Sequence, residues 1–440
     1  MGTQLSVSEE NINKHLNILA KMGNLGTSKE DGFLRASWSN EESASFEYIK
    51  QEAESVGLSS RYDKIGNLFV RTNNKLDGTI QIGSHLDTVP FGGNYDGAAG
   101  IISGLEAIKI VSNLERKRNL ELVIWRGEES ATFGSVYKGS KAAFGIASPD
   151  ILKNQFKGIT LEKAILNQGY NPKYIAKQKP TITQQEIDDI IFHLELHIEQ
   201  GKKLENDNTD IGIVTSIRGN KRYFISVDGE FDHSGNTPMG TDYRKDANLA
   251  IAYMQVRIND LAWKHITTGK DLVQTIGIIN SDPEINNNNQ LIYTNALTKV
   301  SGFGYLKLDI RSNDNFFLNK YSSEVKKIIK DTAKEFNVSA SVQKISESEA
   351  LEQLDKETQK VISYVSEKLG YSYQFMPSGA GHDAAIVAEQ RHSDGTPIKV
   401  GMIFIPCLNG KSHCKEEYAT LKAMTKGANV LANTIYRLAS

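Results

Sequence analysis

The sequence predicts an α/β protein in which a smaller domain is inserted into a split catalytic domain. Three observations support this prediction. The chain has 440 residues, which is more than one ordinary hydrophobic core accommodates. Segments with helical spacing of apolar residues alternate with short apolar runs that are typical of buried strands. A self-contained βαββαβ pattern then interrupts this alternation between residues 214 and 347.

The alternation is clearest in the first part of the chain. Apolar spacing predicts helices near residues 12–19, 46–56 and 101–111, and the runs "LFVRT", "TIQIGSHLD" and "NLELVIWRGEES" predict strands. This order indicates a mixed central sheet flanked by helices. In such sheets ligands bind beyond the carboxyl ends of the strands, which is where "SHLD" and "GEES" are expected.

The middle of the chain has a different order of elements. The pattern there predicts, in sequence, strand 223–230, helix 243–265, strands 272–280 and 302–311, helix 316–337 and strand 338–345. This is the order of a ferredoxin-like unit.

The α/β pattern resumes after this inserted unit. A helix is predicted at 351–369, "KVGMIFIP" is predicted to be a buried strand, and a helix is predicted from residue 415 onward. We therefore expect a catalytic domain of residues 1–213 and 348–440, with a lid or dimerisation domain of residues 214–347.

Composition argues against several classes of function. The formal net charge of −2 does not favour nucleic acid or an anionic membrane as a partner. The apolar runs are too short to span a bilayer, and the N-terminus lacks the pattern of a secretory signal. The two cysteines, Cys407 and Cys414, suit a reducing compartment better than a disulfide scaffold. We expect a cytoplasmic protein that acts on a small molecule.

The segment "GSHLDTVPFGGNYDGAAG", residues 83–100, holds the first candidate ligands. His85 and Asp87 are two residues apart on a strand, so they face the same way. An isolated pair of this kind more often caps a turn. Here, however, glycines surround Asp96, and they permit a loop that directs its carboxylate back toward the strand end.

The segment "RGEES" places Glu128 and Glu129 after a strand that is expected to be buried. As an isolated feature this would be read as a surface pair at a strand exit. If the two carboxylates are buried, they need a positive charge between them. A divalent cation supplies that charge, with one Glu as a ligand and the other free to act as a base.

Four histidines complete the candidate set. His193 and His197 in "HLELHIEQG" share one side of a strand, and their spacing does not decide which is a ligand. His382 and His413 fall in predicted loops beside small residues. A set of His, Asp and Glu with few Cys suits two divalent ions such as Zn²⁺, Mn²⁺ or Co²⁺. The sequence therefore predicts a dimetal hydrolase.

Several motifs together resemble a known family. They are "GSHLDTVPFGGNYDGAAG", "GEESATFG", "LELHIEQG", "HSGNTPM", "SGAGHDAA" and "GMIFIPCLNGKSHCKEE", and they run from about residue 83 to 418. In this order they are similar to the amidase/hydantoinase/carbamoylase branch of the dinuclear metallopeptidase-like hydrolases. That branch includes N-carbamoyl-L-amino acid hydrolase, β-ureidopropionase and allantoate amidohydrolase.

The resemblance implies roles for residues at the motif positions. The metal ligands would be His85, Asp96, Glu129, His197 and His413. Asp96 would bridge two divalent ions, Glu128 would be the general base, and Asp87 would orient His85. His233 would polarise the scissile carbonyl across a dimer interface.

The resemblance also implies substrate contacts, and here the sequence departs from the family pattern. Gln200 and His382 match positions near the substrate, and Arg311 in "LDIRS" matches the arginine that binds its carboxylate. Asn295 is the best candidate for the usual Asn partner, in a segment that lacks the family's Pro. Thr132 lies near the position where many relatives have an Arg. Neither departure touches the predicted metal ligands.

The expected activity is hydrolysis of a linear C–N bond in an N-carbamoyl or ureido acid, with release of ammonia, by a homodimer. Two alternatives remain open. The chain could be a dipeptidase or aminoacylase with the same fold. It could also be a ligand-binding relative that has lost turnover, although the retained Glu128 argues against this.

Overall fold

A computed structural model describes four ranges of the chain: 4–26, 31–73, 75–281 and 295–440. The chain divides into two compact units. The first consists of residues 1–215 and 353–440, and the second of residues 216–352. Both boundaries lie a few residues beyond those expected from the sequence.

The described helices are α1 (Glu9–Lys21), α2 (Asn40–Glu54), α3 (Ala98–Val111), α4 (Lys138–Ala143), α5 (Leu161–Asn167), α6 (Lys173–Ala176), α7 (Gln184–Asp189), α8 (Lys203–Asn206), α9 (Ala247–Ile266), α10 (Asn315–Glu335), α11 (Lys356–Leu369), α12 (Asp383–Ala388) and α13 (Leu421–Ala439). None of the helices in these ranges combines the length and the apolar character that crossing a bilayer requires.

The described strands are β1 (Ser59–Tyr62), β2 (Leu68–Arg71), β3 (Thr79–His85), β4 (Asn119–Trp125), β5 (Gln155–Phe156), β6 (Ile159–Thr160), β7 (Ile190–Ile198), β8 (Ile211–Ile217), β9 (Gly219–Asp228), β10 (Val273–Asn280), β11 (Phe303–Ser312), β12 (Ser339–Ser348), β13 (Tyr373–Ser378) and β14 (Lys399–Ile405).

The first unit is built on an eight-stranded mixed sheet with the order β1-β2-β4-β3-β7-β14-β8-β13. Its central strands β4, β3, β7 and β14 pair in parallel. Strands β2 and β8 pair antiparallel with this central group. The predicted α/β class with a mixed sheet is therefore confirmed. Because the four central strands are parallel, their carboxyl ends meet at one edge of the sheet.

Helix α3 is almost wholly buried against this sheet. Two of its glycines allow the close approach: a Cβ on Gly100 would clash with the carbonyl oxygen of Leu196, and one on Gly104 would lie 2.8 Å from Leu122. The same core includes apolar residues of α1, α11 and α13. Each buried Leu or Ile side chain contributes about 1.5–3 kcal/mol to stability, so this packing fixes the loop that precedes α3.

The second unit contains β9, α9, β10, β11, α10 and β12 in that order, with a four-stranded antiparallel sheet of order β10-β11-β9-β12. Its buried core is formed by residues of the sheet and of both helices, among them Ile225, Met254, Leu308 and Tyr321. Each helix therefore buries one face against the sheet.

Three helices begin later than the sequence pattern predicted. Helix α9 begins at Ala247 rather than at residue 243, because the Asp246 side chain caps it by accepting a hydrogen bond from the backbone N–H of Leu249. Helix α11 begins at Lys356 rather than at residue 351, because Asp355 caps it in the same way. Helix α13 begins at Leu421 rather than at residue 415, because Thr420 caps it. Apolar spacing did not locate these caps.

Candidate metal centre

The carboxyl ends of the four parallel strands carry the candidate ligands. β3 ends at His85, and β7 carries His197 one residue before its end. Glu128 and Glu129 follow β4, and His413 lies in the segment after β14. The parallel arrangement therefore brings together side chains that are far apart in the sequence.

Asp96 lies at the centre of this group. Its Oδ1 atom is 3.2 Å from His85 Nε2 and 3.1 Å from His197 Nε2. Its Oδ2 atom is 3.2 Å from His413 Nε2, which in turn lies 3.2 Å from Glu129 Oε1. Each carboxylate oxygen of Asp96 thus faces a different set of ligand-type atoms, and within each set those atoms lie within 4.8 Å of one another.

Backbone carbonyls orient the two buried imidazoles. His85 Nδ1 lies 3.1 Å from the carbonyl oxygen of Asp87, and His197 Nδ1 lies 3.0 Å from that of Ile198. A carbonyl oxygen only accepts hydrogen bonds, so each Nδ1 is the donor and Nε2 of the neutral ring carries the lone pair. Both lone pairs then face Asp96, as ligation of a metal ion requires.

Gly97 lets the Asp96 loop approach His85. Its φ is +63°, and a Cβ there would lie 2.5 Å from His85 Nε2. Its backbone N–H donates to His197 Nε2 over 3.2 Å. A larger residue at this position would therefore be strained and would displace the histidine.

Asp87 holds the Glu pair in place as well as contacting His85. Its Oδ1 atom accepts the backbone N–H of Glu128 over 3.0 Å and lies 3.4 Å from His85 Nδ1. Its Oδ2 atom accepts the backbone N–H of Glu129 over 3.1 Å and the Ser37 hydroxyl over 3.0 Å. The contact with His85 runs through the backbone carbonyl of Asp87 more closely than through its carboxylate.

Burial and like charge perturb the acids of this group. Burial raises the pKa of Glu128 well above its usual value, with Glu129 among the charges that add to this effect, and burial also raises the pKa of Glu129. Burial opposes ionisation of Asp96 too, but the neighbouring imidazoles, His197 above all, hold its pKa well below the usual range. Hydrogen bonds to Asp96 and Glu129 raise the pKa of His413 to about 11.

The shifts of Asp96 and His413 reflect attraction between the carboxylates and nearby positive charge. Imidazole nitrogens and carboxylate oxygens are also the ligands that Zn²⁺, Mn²⁺ and Co²⁺ accept. The donor set, the ring orientations and the electrostatics therefore all suit divalent cations.

The structure separates the two histidines of β7. His193 lies in a buried network with its Nδ1 2.8 Å from Gln81 Oε1, and burial lowers its pKa to about 3. Among the described residues it belongs to no group of clustered ligand-type atoms, whereas His197 belongs to one group with His85 and Asp96 and to another with Glu195 and His382. Of the pair, His197 is the one beside Asp96.

Gln200 and His382 both lie beside the central group. The Gln200 amide donates to Asp96 Oδ2 over 2.6 Å and to the Ser412 hydroxyl over 3.1 Å. The His382 ring packs 4.6 Å from the His197 ring, centroid to centroid, and its Nε2 lies 2.9 Å from the Ser378 hydroxyl. Burial lowers the pKa of His382 well below its usual value, so this ring is neutral.

His233, predicted from the sequence as a catalytic residue, belongs to the second unit, and its side chain is exposed. Its Nδ1 accepts the backbone N–H groups of Gly235 and Asn236 over 3.1 and 3.2 Å. The proton of the neutral ring is therefore on Nε2, which makes Nε2 a hydrogen-bond donor.

The predicted carboxylate-binding residues also belong to the second unit. Arg311 donates from Nε and Nη2 to Asp309 Oδ2 over 3.1 and 2.8 Å. The Asn295 amide nitrogen donates to the carbonyl oxygens of Ser281 and Phe303. In this arrangement the amide hydrogens of Asn295 stabilise the backbone of its own unit.

Three residues near the candidate ligands were not found from the sequence: Ser37, Lys138 and Glu417. Lys138 is fully buried and donates to the carbonyl oxygens of Glu129 and Ser135 over 2.7 and 2.8 Å. The partners of these three residues are backbone groups or side chains of distant segments, and the spacing of apolar residues does not reveal such contacts. Of the three, only Glu417 could have been suspected from its sequence neighbourhood, because it follows the candidate ligand His413 by four residues in "SHCKEE".

Comparison with known proteins shows the family of this chain. Residues 81–437 match the model of peptidase family M20/M25/M40. The chain belongs to this family. Members of the M20 family are metal-dependent, in agreement with the donor set around Asp96.

The relatives of this M20 protein include amidohydrolases. Allantoate amidohydrolase of Escherichia coli (strain K12) is 30% identical over 424 residues, which cover 95% of this chain and 96% of that protein. N-carbamoyl-L-amino-acid amidohydrolase of Pseudomonas sp. (strain NS671) is 28% identical over 447 residues, covering 98% and 99%.

A solved structure agrees with this placement. An amidase of the hydantoinase/carbamoylase family from Burkholderia multivorans has a TM-score of 0.84 and 26% identity, and the match covers 99% of each chain. The resemblance predicted from the sequence motifs is therefore confirmed.

Proposed function

We propose that this M20 protein is a metal-dependent hydrolase of C–N bonds in linear amide or ureido compounds. The substrate would be an N-carbamoyl-L-amino acid or a related ureido acid with a carboxylate, and ammonia would be released. The observation that carries the proposal is the position of Asp96 between two sets of ligand-type atoms, together with the burial of Glu128, the residue that precedes Glu129 of one set. The names of the two relatives, allantoate amidohydrolase and N-carbamoyl-L-amino-acid amidohydrolase, support the bond type.

The proposed ligands of two divalent ions are His85, Asp96, Glu129, His197 and His413. Asp96 is assigned to both ions because its two oxygens face different sets. Zn²⁺, Mn²⁺ and Co²⁺ are the proposed metals. When bound, such ions would supply Lewis acidity, which polarises a carbonyl group and makes water more acidic.

Glu128 is proposed as the general base. Its carboxylate would take a proton from the attacking water and later deliver it to the leaving nitrogen. Burial and the nearby charge of Glu129 raise its pKa, which makes it a stronger base than an ordinary carboxylate. Asp87 would fix the position of Glu128 through the hydrogen bond to its backbone N–H.

Residues outside the metal ligands are proposed to bind the substrate. His233 would donate from Nε2 to the scissile carbonyl oxygen, in keeping with its ring orientation. Arg311 would bind the substrate carboxylate through its planar guanidinium group, with Asn295 as its proposed neighbour. Gln200 and His382 would contact the substrate near Asp96.

The second unit is also proposed to form a homodimer. Helix α9 exposes apolar side chains at intervals along its length, and the edge strand β10 exposes several more: Leu249, Tyr253, Val256, Trp263, Val273, Ile278 and Ile279. Among the described strands β10 is at the edge of its sheet, and exposed apolar side chains on a helix and an edge strand suit a second copy of the same surface. A cytoplasmic location is proposed as well, since both cysteines are free thiols.

Ammonia release from a substrate panel tests the proposed function. The purified protein would be loaded with Mn²⁺ or Zn²⁺ and supplied with N-carbamoyl-L-amino acids, N-carbamoyl-β-alanine, allantoate, N-acetyl amino acids and dipeptides. Each reaction would be run with and without a chelator. We expect chelator-sensitive ammonia release from at least one ureido acid.

Other outcomes would replace the proposal. Cleavage of acyl or peptide bonds without ammonia release from ureido acids would identify a dipeptidase or aminoacylase. Metal binding without turnover of any compound would identify a ligand-binding relative.

A further inference from the structure

Glu417 is a buried carboxylate beside the proposed centre that is not one of its ligands. Only 4% of the residue is exposed. Its Oε1 atom accepts the backbone N–H groups of Tyr95 and Asp96, each over 3.0 Å. Its Oε2 atom accepts the backbone N–H of His413 over 3.3 Å and lies 3.1 Å from the Ser412 hydroxyl, whose one proton it shares with Asp96 Oδ2 at the same distance.

These four hydrogen bonds connect two segments that are distant in the sequence. One oxygen of Glu417 binds the loop of Asp96, and the other binds the loop of His413. The hydrogen bond to Asp96 joins positions that are 321 residues apart in the sequence. The two loops supply atoms that lie 3.2 Å apart, Asp96 Oδ2 and His413 Nε2. The Glu417 carboxylate therefore sets the distance between Asp96 and His413, and binding of one cation by both residues depends on this distance.

The loop that contains Asp96 leaves space for the side chain of Glu417. A Cβ on Gly93 would clash with the side chain of Glu417. The glycine at this position therefore leaves the space that the carboxylate fills. This explains one glycine of the segment "FGGNYDG" that the metal ligands alone do not explain.

Burying a second carboxylate so close to Asp96 is unfavourable, because like charges repel strongly where water is excluded. A neutral residue could fill the same volume without that repulsion. What a neutral residue lacks is the ability to accept hydrogen bonds at both ends. The arrangement therefore favours a role for Glu417 that needs two acceptor oxygens.

We propose that Glu417 is a positioning residue, which fixes Asp96 and His413 at the spacing needed to bind one cation together with Glu129. This inference rests on the ligand assignments of the proposed function. It assigns Glu417 no contact with the substrate.

The substitution Glu417→Gln tests the inference with a side chain of the same shape. The amide has one acceptor oxygen, so whichever way it is oriented, its NH₂ group faces the donors of one of the two loops. We expect the affinity for at least one of the two ions to fall by about 10–100-fold. The measurement is a competition titration of the folded, metal-free protein with Co²⁺ or Zn²⁺ against a chromophoric chelator.

A matched control is Glu106→Gln. Glu106 is also a buried carboxylate with three partners, the side chains of Asn11, His15 and Lys109, and none of them is a proposed ligand. Unchanged affinity for both ions in Glu417→Gln would overturn the inference. An equal fall in both variants would overturn it as well.

A second variant decides the question if Glu417→Gln does not fold. Gly93→Ala leaves the carboxylate in the protein but forces its side chain to move. We expect the same loss of metal affinity, and wild-type affinity in this variant would contradict the inference. Because these readouts are of metal binding, they separate a failure of this inference from a failure of the proposed hydrolysis.

Discussion

Asp96 is the residue on which the proposed centre depends. Its two oxygens face different sets of ligand-type atoms. Gly97, with its positive φ, lets the Asp96 loop come this close to His85. A pattern of glycines around one carboxylate is visible in the sequence, so the position of Asp96 beside the strand end could be predicted.

Other residues near the centre could not be predicted from local pattern. Lys138 and Glu417 bind backbone groups, and backbone groups have no sequence signature. Spacing alone also did not decide between His193 and His197, because the two residues share one side of β7. The family resemblance implied His197, and the structure places His197 beside Asp96.

Substitution of Lys138 tests how much a single buried cation stabilises the carboxylates near the proposed centre. Lys138 is fully buried, and its ammonium group lies near several carboxylates, with Asp87 exerting the strongest attraction. Lys138→Met leaves two buried carbonyl groups and those carboxylates without their cation. We expect the free energy of unfolding to fall by roughly 2–5 kcal/mol in chemical denaturation.

The matched control for this test is Lys141→Met, in the same helix α4. The amino group of Lys141 lies over the Tyr137 ring, 5.2 Å from its centroid. An effect of Lys138→Met no larger than that of Lys141→Met would contradict the account.

At the scale of elements, apolar runs predicted the strands at whose carboxyl ends the proposed ligands lie. β3 and β4 are buried along their whole length, which is why their sequences stood out. β13 was not predicted, because it is the last strand of its sheet, is only partly buried and contains Pro377. The capped starts of α9, α11 and α13 were also missed, because capping depends on one side chain rather than on the periodic spacing of apolar residues.

The exposed face of α9 gives the prediction for assembly. Val256 is 60% exposed in the chain, so a charge at this position disturbs a self-contact without disturbing the core. We expect the wild-type protein to be a dimer and Val256→Asp to be a monomer in light scattering.

The control for assembly is Leu166→Asp, a similar change at an exposed residue of α5 in the first unit. It should leave the dimer intact. A monomeric wild type, or a Val256→Asp variant that remains dimeric, would argue against this interface.

For the whole molecule, membership of the M20 family indicates the fold and the dependence on metal. The choice of substrate depends on only a few residues. The residues assigned to the substrate carboxylate, Arg311 and Asn295, lie in a part of the sequence that departs from the family pattern. The proposed ligands around Asp96 do not depart from it. The chemistry could therefore be predicted more completely than the choice of substrate.

Stability of the whole protein should depend on metal and pH together. In the metal-free protein the pKa values of Glu128, Glu129 and His413 are raised. The stability that these groups contribute is present below their unfolded-state pKa values and is lost as pH rises through the folded-state values. Asp96, with its lowered pKa, is already ionised from pH 5 upward and does not offset this loss.

Metal ions replace the lost protons, so we expect the stabilisation by metal to be larger near pH 8 than near pH 5. At a free metal concentration of about 100 times Kd, the gain is about 2.7 kcal/mol per ion. Thermal unfolding with and without chelator at the two pH values measures the gain. Equal or smaller stabilisation at the higher pH would contradict the assigned ligands.

The most direct test of the central claim compares the wild-type protein with Glu128→Gln, after loading with the same metal. Ammonia release from the best ureido-acid substrate and the metal content of each protein would be measured side by side. The account predicts equal metal content and a rate that falls by about 10²–10⁴-fold, the contribution of a general base. A variant that is fully loaded with metal and turns over at the wild-type rate would contradict it.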